Sequence, residues 1–96
     1  MAKYSQVSAP IDIVRINRML QKEAKESKTK DHLARLRQKS QYLYALTFSP
    51  SWETHTHGHV MKMRNAAESQ YTETARIINK RMKQLGYSMK FDTKIG

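Results

Sequence analysis

One periodicity constrains this chain more than any other: Met63, Ala67, Tyr71, Ala75, Ile78, Met82 and Leu85 follow one another at spacings of 4, 4, 4, 3, 4 and 3. Only an α-helix turns residues so spaced onto one face, so the segment from about His59 to Leu85 is expected as a single long helix with one apolar stripe. Gly86 stands where a left-handed residue closes such a helix, and Tyr87 is placed to fold back on its last turn. A lone amphipathic helix cannot bury its own stripe. The rest of the chain must therefore supply apolar faces to cover it.

Two segments can do so. From about Asp31 to Thr47, Leu33, Leu36, Ser40, Leu43 and Tyr44 form one face, while Arg35, Arg37 and Lys39 fall largely off it. From about Pro10 to Ser27, Ile13, Val14, Ile16 and Leu20 make a more ragged stripe, opened by Ser8-Ala9-Pro10, where serine caps and proline is tolerated. Between them lies Lys25-Glu26-Ser27-Lys28-Thr29-Lys30, which has no apolar residue and offers Ser27 and Thr29 as caps. Pro50 ends the second helix by disfavouring helical backbone at Ser49, leaving Glu53 to Gly58 as an irregular loop. Nothing reads as a strand or a repeat. With 96 residues there is room for one core, so the expected fold is all-α: a compact three-helix domain over 1–96, with a His-rich loop before its longest helix. Residues 1–7 and 88–96 are expected to be loose.

Charge then narrows the function. Eighteen Lys and Arg against eight Asp and Glu give a formal charge of +10, which repels itself in a compact fold unless something negative lies against it. Residues 15–39 hold nine Lys and Arg against three acids, and residues 62–83 hold six against two, so the excess sits on helices. Phosphate neutralisation accounts for such an excess. The expected partner is therefore DNA or RNA, with duplex DNA favoured, contacted by Arg15, Arg18, Arg35, Arg37, Lys39, Lys62 and Arg64. Trp52, beside Pro50, is the aromatic candidate for stacking or wedging, ahead of Tyr42, Tyr44 and Tyr87. His59, near a helix N-terminus, is a further phosphate candidate. An alternative partner for the same charge is an acidic protein surface or a ribonucleoprotein assembly, bound by a small basic modulator of the phage type.

Other functions are excluded or disfavoured by what the sequence lacks. Its apolar runs are far shorter than the roughly 20 residues that cross a bilayer, and no secretory leader opens it, so a cytoplasmic protein without a membrane partner is expected. There is no cysteine, hence no disulfide, thiolate metal site or thiol nucleophile. The alternating His55, His57 and His59 would face one side of an extended chain and suit zinc or copper, but no cysteine joins them, histidines in a loop more often hydrogen-bond or lie exposed, and no metal or other cofactor is assigned. No glycine-rich phosphate loop, His-Glu-x-x-His helix or paired-carboxylate spacing is present, so binding without catalysis is the expectation.

Several short pieces, in chain order, resemble the pyrimidine-dimer DNA glycosylases of the bacteriophage endonuclease V type. Val14-Arg15-Ile16-Asn17 is similar to that family's opening Thr-Arg-Ile-Asn, and His32-Leu33 with Leu36-Arg37-Gln38 resembles its His-Leu and Tyr-Arg-Glu. Ser49-Pro50-Ser51-Trp52 resembles a Ser-Pro-Thr-Phe turn, Gly58-His59-Val60 a Gly-His-Val helix start, and Gly86-Tyr87 the close of a long helix. The resemblance implies a helical DNA-binding body with basic residues retained at Arg15 and Arg37. It also implies lost catalysis, because the family's N-terminal threonine nucleophile and its glutamate are matched by Val14, inside the chain, and Gln38. A backbone amide does not attack a sugar carbon, and a glutamine does not exchange a proton. A glycosylase- or nuclease-like enzyme remains the second alternative.

Overall fold

The computed structural model describes residues 7–48, 57–88 and 90–95, and its secondary structure is entirely helical among them. Three helices follow in order: α1 (Pro10–Glu26), α2 (Lys30–Leu46) and α3 (His57–Gln84). The 28 residues of α3 span about 42 Å at 1.5 Å per residue, which accounts for most of the 46 Å long axis of the molecule. This is the expected all-α three-helix domain.

Each helix is delimited by local chemistry. At the start of α1 the Asp12 carboxylate accepts from the backbone N–H groups of Ser8 and Ala9 at 2.9 and 3.0 Å and from the Ser8 hydroxyl at 3.3 Å. The cap is thus the reverse of the one expected. Ser8 is a donor here, the N-cap position is Ala9, whose methyl accepts nothing, and Asp12 in the first turn supplies the oxygen. At α2 the Thr29 hydroxyl caps the His32 N–H at 3.1 Å, as expected of a threonine there. Gly86, at φ +87°, closes α3: its N–H reaches the Lys83 carbonyl while the Tyr87 N–H folds back 2.9 Å from the Met82 carbonyl, the paired arrangement that favours glycine.

The Asp12 cap sets up a pH effect. Donation from the Ser8 backbone N–H, followed by that of Ala9 and the Ser8 hydroxyl and by the nearby Arg15 charge, holds the carboxyl below its ordinary pKa against an opposing push from burial. A carboxyl depressed in the fold stabilises it above the unfolded pKa, and that contribution fades as pH falls through the lower folded value. Amide exchange at Ser8 and Ala9 is expected to accelerate on acidification below about pH 4 beyond the intrinsic rate change. An Asp12→Asn variant should show no such extra step; an equal step in the variant would remove Asp12 from the explanation.

Packing follows the stripes. Ile16, Leu20, Ala24, Leu33, Leu36, Leu43, Ile78 and Met82 form the main core, and Ile13, Met63 and Ala67 a second cluster at the end where α1 and α3 begin. Gln21 meets Gln70 and Thr74, and Ser27 meets Arg81 one end further on, so α1 and α3 run parallel. The three-residue turn between α1 and α2 makes α2 antiparallel to both. Within the core lies a polar knot with one member from each helix. The Asn17 side-chain oxygen accepts from Ser40 at 2.6 Å and Thr74 at 3.0 Å, its amide donates to the Ile13 carbonyl at 2.9 Å, and all three side chains are fully buried.

Two further expectations are corrected. The segment after residue 88 is not loose where it is described. Asn79 pairs both backbone groups of Phe91 at 2.7 Å each, as a neighbouring strand would, and the Tyr71 hydroxyl donates to the Asp92 carbonyl at 3.1 Å. Phe91 packs against the main core, which is why a polar-looking tail is held. Of the expected His-rich loop, residues 53–56 lie outside the described residues, while His57 and Gly58 already belong to α3. On a helix, residues two apart point about 200° from each other, so His57 and His59 do not share a side as they would in an extended chain.

Candidate nucleic-acid interface

The basic residues expected to contact phosphate come from all three helices and do not all face the same way. Lys62 and Arg64 illustrate the reason, since two positions along a helix separate them by about 200°. Arg64 turns towards α2, where its guanidinium lies 4.0 Å from the centre of the Phe48 ring. Phe48 in turn meets Tyr44 edge-on at 5.2 Å. Lys62 is exposed and lies on the other side of α3.

Arg37 is also drawn inward. Its guanidinium sits 4.4 Å over the Phe91 ring and donates to Gln41 at 3.2 Å, so the held tail and Arg37 cover one another. The Nε atoms of both Arg37 and Arg64 are buried without a hydrogen-bond partner among the described residues, shielded where the guanidinium groups lie against rings. Attraction of the cation to the ring face offsets part of that loss. Arg37 and Arg64 are therefore packing residues of the α2–α3 side at least as much as surface charges.

Other candidates remain on the surface. Arg15 is half exposed, 3.7 Å from Asp12, and Arg18 is exposed further along the outer face of α1. On α2, Arg35 and Lys39 line a shallow hollow of ≈ 460 Å³ together with Gln38 and Tyr42. Gln38 and the half-buried Val14, the positions matched to the glycosylase glutamate and threonine, stand on different helices. His59 Nε2 lies 3.2 Å from the Ser8 carbonyl, an acceptor, so that nitrogen serves the fold when it carries the proton. Trp52 and His55 lie outside the described residues, and among those described no group of three His, Cys, Asp or Glu is placed to hold a metal.

What the periodicity did not reveal is a groove between α1 and the second half of α3. Lys25 enters it from α1, and Arg76, Lys80 and Arg81 from α3, with Glu73 its one carboxylate and a volume of ≈ 560 Å³. Here basic residues from two helices converge. The signal was present in the sequence as Arg76, Lys80, Arg81 and Lys83, four cations in eight positions with no acid among them. Their pairing with Lys25 depends on α1 and α3 running parallel, which no local pattern encodes.

No helix among the described residues is long and apolar enough to cross a membrane. Comparison with known proteins adds no relative: no protein-family model matches the sequence, no curated protein does, and no solved structure matches the fold.

Proposed function

We propose that this chain binds nucleic acid, duplex DNA in the first instance, through phosphate contacts and without catalysis. The observation that carries the reading is that fourteen of the eighteen Lys and Arg are mounted on folded helices and that basic residues gather, between α1 and α3, into four cations around one carboxylate. A rigid positive groove suits a regularly spaced polyanion, whereas charge on a flexible arm would carry no geometry. The resemblance to the pyrimidine-dimer glycosylases supports a helical DNA-binding body. Val14 and Gln38, in place of its nucleophile and glutamate, support a body that binds without cutting. A phage origin and a place in the host cytoplasm or nucleoid accord with the resemblance.

Titration of the protein with a short duplex at several salt concentrations tests this. Log affinity is expected to fall linearly with log salt, with a slope of about 0.9 per neutralised phosphate, and four to six contacts give a slope near −4 to −5. A flat dependence, or no binding at low salt, overturns the reading. In the same reactions a duplex carrying abasic sites should stay intact, and nicking would replace binding with catalysis. Retention of a protein from nuclease-treated lysate, with no duplex affinity, would instead favour the acidic protein surface.

A further inference from the structure

We infer that the groove between α1 and the second half of α3 is a phosphate-binding site, with Arg81 as its fixed donor and Lys25 and Lys80 as its mobile ones. Its ligand, on the nucleic-acid reading, is a pair of adjacent backbone phosphodiesters. The site itself is argued from its own geometry.

Arg81 is the anchor. Its Nε donates to the Ser27 carbonyl at 2.7 Å, across to the turn that follows α1, and its Nη1 reaches the Gln84 side-chain oxygen at 3.3 Å. Two bonds thus fix the plane of the guanidinium, while Nη2 makes none among the described residues and the side chain remains only half covered. A guanidinium already ordered in this way loses little freedom when it takes an oxyanion, and its donors suit a phosphate oxygen. Were Arg81 only a clasp between α3 and the turn, the Nε bond would suffice. The second bond to Gln84 and the neighbouring cations are not needed for that.

The surrounding charges favour an anion. Arg76 is the cation neutralised within the groove, 2.9 Å from Glu73. Lys25 and Lys80 are exposed, and neither has a carboxylate within ion-pair distance among the described residues. Three cations are therefore left uncompensated around a concavity of ≈ 560 Å³. This groove accordingly holds a centre of positive potential that the packing of the bundle does not consume.

The test compares two double variants with equal loss of charge. Lys25→Gln with Lys80→Gln empties the groove of its mobile donors. Lys90→Gln with Lys94→Gln removes two exposed lysines from the tail, on the α2–α3 side. All four lysines lie on the surface, and a cooperative thermal transition close to that of the wild type is the check that each variant folds. With duplex, the groove variant is expected to lose on the order of tenfold or more in affinity at 0.1 M salt and about 1.8 from the salt slope, while the tail variant keeps the wild-type slope. Equal losses in both variants would mean diffuse charge and overturn the site.

A second arm uses pyrophosphate alone, followed by amide chemical shifts. Saturable shifts confined to Lys25, Ser27 and residues 76–84, lost in the groove variant, support the site even if duplex is not bound, in which case the nucleic-acid reading falls and the site stands. Duplex binding with no pyrophosphate response in the groove and no loss in the groove variant has the opposite result: the nucleic-acid reading stands and the site falls.

Discussion

Replacing Asn17 with alanine is expected to destabilise the protein by about 2–4 kcal/mol and lower its melting temperature by on the order of 10–20 °C. Asn17 is the hub of a knot that no water reaches, accepting from Ser40 and Thr74 while donating to Ile13. Alanine leaves two buried hydroxyls without their acceptor and opens a small cavity between three helices. Each hydroxyl can partly recover by bonding the carbonyl four residues back on its own helix, which limits the loss. Chemical denaturation measures the effect, and a change under about 1 kcal/mol would show that the knot contributes little. The triple variant Asn17→Leu, Ser40→Ala and Thr74→Val separates polarity from packing. It removes the Asn17 acceptor and both buried hydroxyls at once, leaves the half-buried Gln21 amide its bond to Gln70 in place of the one to Thr74, and should recover most of the lost stability.

Leu36→Ala should cost about 2–5 kcal/mol, the range for a fully enclosed leucine whose neighbours cannot close the gap. Leu36 is completely buried in the main core with Leu33, Leu43, Ile78 and Met82, so its removal is felt by both other helices. A domain of this size has roughly 5–15 kcal/mol in total, and this single truncation removes a large share of it. Leu46, at the margin of the same core, provides the comparison. Its truncation should cost clearly less, and equal costs at both positions would mean that the centre of the core lies elsewhere.

The helices were legible because burial repeats. The stripe from Met63 to Met82 is buried at every position named, and on α2 Leu33, Leu36, Ser40 and Leu43 are buried as their spacing implied. Asn17 was not legible, since its polarity argues for the surface and its burial depends on two hydroxyls brought in from other helices. The tail escaped notice for a similar reason. Phe91 is a lone aromatic among polar residues, and what holds it is a side-chain amide of α3 matching its backbone. Among the candidate contacts, Arg15, Arg18, Arg35 and Lys62 could be read as off the core faces. The diversion of Arg37 and Arg64 onto phenylalanine rings needed the packing of α2 against α3 and the tail. The groove was hidden by distance along the chain, for Lys25 and Lys80 are neighbours only after α1 and α3 have aligned.

That parallel alignment has a kinetic side. The α1–α2 hairpin can close over its three-residue turn early and cheaply, because little chain entropy is lost. Gln21, however, finds Gln70 and Thr74 only 49 and 53 positions away, and Asn17 finds Thr74 at 57. A hairpin without α3 therefore holds a half-satisfied amide beside an open apolar seam. Such a partial structure gains little, and the late arrival of α3 completes core and knot in one event. The molecule should consequently fold and unfold as a single cooperative unit, with its slow step the closure that brings the third helix alongside the first.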